Sequence, residues 1–293
     1  MNVAYIDKKD ALLKVENKTL KVDEQKIPLR LLDTIVLASS CRLESRDMVK
    51  MTQEGITLLL LSGRGDKVAI VQGASGKNAE LKLAQYTAQS RALEFAKYFV
   101  SEKLKRHANQ LREHEVALDI FETLEKVEGA ESIEVLLGIE GSFSREYFGH
   151  YFALFSKRLH EGKRSRNPPL DPVNAMMSFF YMMSYNLITV RLLSFGFEPS
   201  IGFLHQAFRS HNALASDFME LFRADINEAV FELFSQKILT LGDFSFKGGV
   251  FLRFDARKKI WKDYVALTKK LKPKLSQEIA KFKGEIYEKK FNY

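Results

Sequence analysis

The sequence predicts an α+β protein: a small N-terminal β-domain, sandwich-like and carrying one helix, followed by a larger all-α C-terminal domain. Three observations predict it. The first 75 residues are short runs rich in Val, Ile and Leu, separated by charged or Asn-containing turns, as strands and their connections are. A Gly-Ala-Ser-Gly segment at 73–76 breaks this pattern and reads as a linker. Beyond it apolar residues recur at helical spacing, with almost no convincing strand. The 293 residues suit about two domains at roughly 150 residues each, and the expected division is 1–75 and 76–293.

In chain order, strands are expected at 2–6, 11–15, 18–22, 34–38, 56–61 and 67–72. Residues 45–54 are the exception. Ser45-Arg-Asp47 followed by Met48, Val49 and Met51, and closed by Gly55, predicts one capped helix. In the second domain Leu81, Leu83, Ala84, Tyr86, Ala88, Leu93, Phe95, Ala96 and Phe99 predict a long amphipathic helix. Further helices are expected near 109–127, 131–159, 172–195, 217–239, 255–271 and 274–288. There is no internal repeat and no low-complexity segment.

Composition bounds the rest. With 46% hydrophobic and 28% charged residues the chain is an ordinary globular protein with ample core. Cys41 is the single cysteine, so an intrachain disulfide and a Cys-type zinc site are excluded, and a reducing cytoplasmic setting is expected. The N-terminus lacks the basic and then apolar pattern of a signal peptide. Residues 172–190 carry no charge and approach the length of a spanning helix. Their starting proline and Asn174, Ser178, Ser184, Asn186 and Thr189 favour a buried core helix instead, so no membrane is expected. The net charge is +8, yet the first 250 residues hold 32 basic and 32 acidic residues; the last 43 hold 13 and 5. The lysine-rich end is either a DNA-facing stripe or a solvated helix face.

Several motifs fail on spacing. Gly73-Ala-Ser-Gly-Lys77 has two residues between its glycines and Asn78 after the Lys, where a phosphate loop needs four and Ser or Thr. Arg64-Gly-Asp66 reads as a turn, and the Asn17-Lys-Thr19 sequon lacks a secretory context. His114-Glu115 lacks the second His of a zinc protease, and no Glu-x-x-His or Gly-x-Ser-x-Gly occurs.

Three stretches place acids and a histidine in apolar helical sequence. In the first, Glu140 lies between Ile139 and Gly141, with Leu136 and Leu137 before and Phe143 after. Glycine costs about 1 kcal/mol inside a helix, so Gly138 and Gly141 need a reason, either tight helix packing or a functional site. In the second, Gly202-Phe-Leu-His205, the histidine alone reads more readily as a satisfied core or surface group than as a ligand. In the third, Ser216-Asp-Phe-Met-Glu-Leu-Phe-Arg223, Asp217 and Glu220 share a helix face. Two carboxylates so placed repel unless a cation or proton lies between them; equally, Ser216 could be an N-cap with both acids near the helix start. Together the three make sense as a divalent-metal site for Mg²⁺ or Mn²⁺.

These stretches resemble the motifs of the CRISPR-associated integrase family of spacer acquisition, the Cas1 proteins. Gly138-Ile-Glu-Gly-Ser-Phe-Ser-Arg-Glu-Tyr147-Phe148 matches the first. Arg164-Ser-Arg-Asn-Pro-Pro-Leu-Asp-Pro-Val-Asn-Ala175 matches a basic, proline-rich second. Gly202-Phe-Leu-His205 and Asp217-Phe-Met-Glu-Leu-Phe-Arg223 match the last two. Departures are mild: Ser144 stands where Ala is usual, Leu221 where Pro is usual, and Ala213 where Ser often precedes Leu-Ala.

The resemblance implies Glu140, His205 and Glu220 as metal ligands and catalytic residues, with Asp217 as a supporting acid. It implies a metal-dependent DNA endonuclease and integrase using Mg²⁺ or Mn²⁺. The 3′-hydroxyl of a short foreign DNA fragment attacks a phosphodiester at the edge of a CRISPR repeat. It further implies a homodimer, joined through the β-domain and working with the Cas2 protein, while the helical domain carries the metal and the catalysis. Arg145, Arg164, Arg166, Arg209 and Arg223 sit within or beside the motifs and are candidates for phosphate contacts, or for structural ion pairs. Asn174 is expected to order the site. A non-catalytic DNA-binding scaffold and a mobile-element integrase of the same fold are the alternatives.

Overall fold

In the computed structural model, which describes residues 3–61, 68–73, 78–206 and 211–288, the N-terminal strands form two four-stranded sheets. The strands are β1 Val3–Ile6, β2 Ala11–Glu16, β3 Thr19–Val22, β4 Gln25–Pro28, β5 Thr34–Leu37, β6 Cys41–Leu43, β7 Thr57–Leu61 and β8 Val68–Val71, with α1 Ser45–Gln53 between β6 and β7. One sheet runs β1-β5-β7-β8 and the other β4-β3-β2-β6. In the first, β1, β5 and β7 are parallel and β8 is antiparallel to β7. β2 alternates buried and exposed residues, the mark of a strand with one wet face. β5 is buried throughout. Ile6, Leu13, Val15, Leu20, Ile35, Leu37, Met51 and Leu58, from both sheets and α1, share one core. Asn17 and Lys18 turn the β2–β3 hairpin with φ of 48° and 55°, the left-handed pair of a type I′ turn.

The expected β-rich region and its single α-helix are present. The sequence patterns missed β4 and β6. β4 is mostly exposed and so lacks an apolar alternation; it is an edge strand ending in a proline, where proline is tolerated. β6 is three residues long, too short for any period. Part of the expected 73–76 linker, and Arg64 to Asp66, lie outside the described residues. The chain divides into two units, Met1–Ala79 and Glu80–Tyr293.

The second unit is helical: α2 Ala79–Thr87, α3 Ala92–Glu113, α4 Phe121–Glu128, α5 Ile133–Ala153, α6 Pro172–Phe195, α7 Ala213–Glu220, α8 Arg223–Ser235 and α9 Arg257–Glu288. A ribbon of β9 Phe244–Ser245 and β10 Phe251–Leu252 is its small departure from an all-α plan. α3 packs on α5, α7 and α8, and α6 on α7, α8 and α9. α6 is capped by Asp171, whose carboxylate accepts from Asn174 N; Pro172 opens it and Gly196 closes it at φ 94°. This is the uncharged stretch of the sequence, and it is largely buried. Among the described residues no helix is long and apolar enough to cross a membrane.

Five helix expectations shift. The one long helix expected from Leu81 to Phe99 is two, α2 and α3, joined by a 3-10 turn over Ala88–Arg91, and the 131–159 helix ends at Ala153. The 109–127 segment straddles a break: α3 ends at Glu113 and Glu115 takes a left-handed φ of 61°. The 217–239 helix is cut at Leu221-Phe222, whose side chains are buried. The separate 255–271 and 274–288 helices are one, α9, with Pro273 inside it. Proline removes a helical hydrogen bond, but Leu267, Leu271, Leu275, Ile279, Phe282 and Ile286 bury one continuous stripe across it. Pro273 is exposed, so Pro273→Ala should restore the bond without disturbing that stripe. We expect about 1–3 kcal/mol of added stability from the propensity difference, read from urea unfolding; an unchanged or lower midpoint would contradict a continuous α9.

Candidate functional site

Glu220 ends α7, where the helix dipole disfavours an acid, and its side chain is 5% exposed. Such a carboxylate needs positive charge. Lys103 Nζ lies 2.7 Å from Oε2, and Arg223 Nε lies 2.7 Å from the same oxygen. Lys103 Nζ also hydrogen-bonds Glu140 Oε1 on α5, which accepts in addition from Ser144 Oγ at 2.6 Å. One ammonium, 8% exposed, thus joins two acids from different helices.

Local structure explains each placement. Lys103 occupies the core-facing stripe of α3, among Phe99, Val100, Leu104 and His107. The break between α7 and α8 turns Arg223, the first residue of α8, back onto Glu220, and Arg106 Nη1 donates to the Leu221 carbonyl at 2.8 Å. Arg223 also stacks over Tyr181, 4.6 Å from the ring centre.

Asp217, fully buried one turn before Glu220, gathers the histidine loop. Its Oδ2 accepts from Phe203 N at 2.6 Å and Leu204 N at 3.2 Å; Oδ1 accepts from His205 N at 2.9 Å and lies 2.7 Å from His205 Nδ1. Gly202 makes this possible. A Cβ there would lie 2.7 Å from the Ala213 backbone and 2.8 Å from Asp217 Oδ2. With Nδ1 engaged, His205 Nε2 is directed to Glu220 Oε1, 4.0 Å away, the orientation that a carboxylate gives a ligand histidine. Ser216 is not the N-cap of α7, which is Asn212; its hydroxyl is 3.0 Å from His211 Nε2.

The electrostatics follow. Burial pushes Glu220 up, but Arg223, Lys103 and His205 overcome it and hold the carboxyl far below its ordinary range. Burial likewise raises Glu140; the Lys103 charge, opposed by Glu220, and the bonds from Lys103 and Ser144 leave it below its usual value. Burial opposes protonation of His205, yet its Asp217 bond and the two acid charges leave its pKa raised. His107, buried beside Lys103, is pulled down to about 3, by burial first and the Lys103 charge second, and is neutral at pH 7.

A cleft of about 410 Å³ opens on the Glu140, Lys103 and Arg223 side of this cluster, lined also by Ser144, Arg145, Lys163, Arg164 and Arg166 among others; Glu220, His205 and Asp217 are not in its lining. Arg145 and Arg166 are exposed. Arg164 donates to Asn174 Oδ1 at 2.7 Å and Ser178 Oγ at 3.0 Å. Asn174, fully buried, also accepts from Ser165 N and donates to Lys163 O, so it fastens the basic segment to the start of α6. Arg223 is mostly buried against Glu220, and Arg209 lies outside the described residues. A Cβ on Gly138 or Gly141 would meet nothing within 4 Å. Tight helix packing is therefore not their role, and Gly141 borders the cleft. Several lysines of the basic end face acids: Lys259 on Asp243, and Lys270 and Lys274 on Asp225.

Of the expected set, Glu140, His205, Asp217 and Glu220 fall in one cluster. Lys103 was missed; its signal is a charged residue on an apolar helical stripe. Among the described residues no three His, Cys, Asp or Glu side chains are close enough together to hold a metal ion. The donor chemistry still fits Mg²⁺ or Mn²⁺: two carboxylates already converge on a single cation, and an imidazole presents Nε2 to one of them.

The sequence profile of the family described as CRISPR associated protein Cas1 matches residues 2–266. A Thermodesulfovibrio yellowstonii protein named CRISPR-associated endonuclease Cas1 1 is 31% identical over 99% of this chain and 98% of its own. Among solved structures, a Cas1 protein from Thermotoga maritima aligns with a TM-score of 0.89 at 22% identity, covering 98% of this chain and 97% of that one. A casposase bound to integration product aligns at 0.86 and 20% identity, covering 100% and 92%. A chain of a Cas6-RT-Cas1–Cas2 complex aligns at 0.78 and 22%, covering 98% and 35%.

Two outcomes are expected. Asp217→Ala strands three backbone N–H groups and should cost about 3 kcal/mol or more in urea unfolding, with Asp217→Asn, which keeps one acceptor, intermediate. Glu140 and Glu220 titrate low, so their contribution is complete above the ordinary carboxylate pKa of about 4.3 and drains as pH falls through the lowered values. Glu220→Gln should be less stable than wild type at neutral pH, and the gap should close as acid protonates the wild-type carboxyl; a constant gap would refute the assignment.

Proposed function

The chain belongs to the CRISPR-associated Cas1 family, and from that membership we propose that it is a divalent-metal-dependent DNA integrase of spacer acquisition, with Glu140, His205 and Glu220 as metal ligands. The observation that carries this reading is the meeting of Glu140 and Glu220 at one cation beneath an arginine-lined cleft. Acids that gather a cation next to groups that attract phosphate are the two requirements of metal-assisted phosphoryl transfer.

The reaction is a transesterification. The 3′-hydroxyl oxygen of a short DNA fragment bonds to phosphorus at a repeat edge, and the bond from phosphorus to the target 3′-oxygen breaks. A divalent ion, when bound, lowers the pKa of the attacking hydroxyl and stabilises the leaving oxygen. The protein's own part is placement. Asp217 fixes the His205 tautomer through Nδ1. Arg145 and Arg166 offer forked donors to phosphate oxygens along the cleft. Asn174 holds the segment that carries Arg164 and Arg166 against α6. In this reading the β-domain of residues 1–75 is the dimerisation module, and the homodimer works in the cytoplasm with Cas2 on foreign DNA and the CRISPR repeat. The likeness to a Cas1–Cas2 assembly supports that partnership.

A mobile-element integrase is the second reading, favoured by the likeness to the casposase. Neighbouring genes separate the two: a repeat array and a Cas2 gene, or terminal inverted repeats.

The test is strand transfer from a short duplex into a repeat-bearing plasmid with Mn²⁺ or Mg²⁺. Glu140→Ala, His205→Ala and Glu220→Ala should each lose about 100-fold or more, the scale of removing a group that stabilises transition-state charge. Equal product from wild type and Glu140→Ala would sink this mechanism, and DNA binding with no metal-dependent product would leave only a DNA-binding scaffold. Arg145→Ala and Arg166→Ala should each weaken DNA binding without sequence preference and reduce the salt slope by about 1.

A further inference from the structure

We propose that Lys103 is a built-in stand-in for the metal: its ammonium holds Glu140 and Glu220 together in the metal-free protein, and the divalent ion must displace it from at least one of them. The inference rests on the metal-site reading above and adds a positioning residue that none of the motifs contains.

Three observations carry it. Lys103 Nζ contacts Glu140 and Glu220 simultaneously, and these belong to different helices, so the ammonium fixes their separation. The ammonium is on the core-facing side of α3, nearly closed to water, where an uncompensated charge is costly; it is retained because the acids need it. The local charges are already close to balance, with Glu140, Glu220 and Asp217 against Lys103, Arg223 and, when protonated, His205.

That balance forces the displacement. A divalent ion added between the carboxylates, with Lys103 and Arg223 both in place, leaves a positive surplus in a buried cluster even with Asp217 counted, which is unstable. Arg223 is less able to leave: it is stacked on Tyr181 as well as bonded to Glu220. Lys103 has a long flexible stem and already borders the cleft. Its release points the ammonium toward the cleft beside Arg145 and Arg166, where the opposing charge is a DNA phosphate. Lys103 therefore competes with the ion for the acids and adds a cation to the phosphate-binding side once the ion is seated.

The test is Mn²⁺ affinity, read by the paramagnetic resonance of free Mn²⁺ in titrations of the full chain without DNA. Lys103→Met keeps the stem and removes the competing charge. It should bind Mn²⁺ about tenfold tighter than wild type or more, equivalent to about 1.4 kcal/mol. In chelator it should melt below wild type, and Mn²⁺ should raise its melting temperature by more. A lysine that merely supports the fold would give weaker metal binding on removal, not tighter. Equal or weaker Mn²⁺ binding by Lys103→Met, with wild type binding normally, overturns the inference and leaves the integrase reading intact. No Mn²⁺ binding by wild type overturns the metal-site reading itself. Should Lys103→Met not fold, Lys103→Gln takes its place, and a crystal structure of the wild type grown with Mn²⁺ decides directly. Nζ parted from at least one carboxylate supports the displacement; Nζ still bonded to both refutes it.

Discussion

A single buried carboxylate organises this molecule's helical unit. Glu220 closes α7 at the wrong end of a helix dipole and inside the protein, so charge must be brought to it from elsewhere. Lys103 comes from α3, Arg223 from α8 and His205 from the loop after α6. Each of these groups fixes the element that carries it. Buried ion clusters of this kind rarely add net stability over a well-packed apolar core, while removal of one partner costs roughly 3–5 kcal/mol. The cluster is thus a constraint on geometry rather than a reservoir of stability, and it sets three elements around one acid behind the Lys103 and Arg223 that line the cleft.

The constraint is passed inward by a chain of uncharged groups. Arg223 lies on Tyr181, whose hydroxyl donates to Asn227 Oδ1. Asn227 Nδ2 donates to Tyr147 at 2.8 Å, and Tyr147 donates to Gln110. Tyr151 donates to the Asn227 carbonyl at 2.8 Å. Gln110 in turn donates to Glu228 at 3.0 Å, which also meets His114. Burial pushes the phenols of Tyr147 and Tyr151 well above their ordinary value, so they stay protonated as donors. A satisfied polar network of this kind specifies one packing arrangement. It joins α3, α5, α6 and α8 behind the cluster, and holds the acids in register with the cleft.

Much of this was legible in the sequence, and the parts that were not have physical causes. Glu140, His205, Asp217 and Glu220 stood out because acids and a histidine are costly in apolar helical sequence. The small glycine at 202 could be flagged, but its reason, the approach to Ala213, exists only in three dimensions. Lys103 escaped notice because lysine is common on helices, and only its place on the buried stripe distinguishes it. The α7–α8 break left no proline or glycine as a marker; it arises from the burial of Leu221 and Phe222. Pro273 marked a break that does not occur, since the apolar stripe of α9 outweighs one lost hydrogen bond. Edge strand β4 lacked alternation because little of it is buried.

Charge shows the same difference between a sum and a placement. The +8 belongs to the last 43 residues, yet Lys259, Lys270 and Lys274 there lie against Asp243 and Asp225. The basic wall of the cleft comes from residues 103–223, within a stretch of the chain that carries no net charge. Its positive field is local and is set beside acids that need a cation. A divalent ion and a phosphate have opposite preferences and cannot both be attracted by net charge of one sign. Arg145, Arg166 and Glu140 line one cleft, and Glu220 lies behind it on the Lys103 that it shares with Glu140; in the proposed reading each ligand thereby meets its own counter-charge within a few ångströms, where solvent and salt screen least.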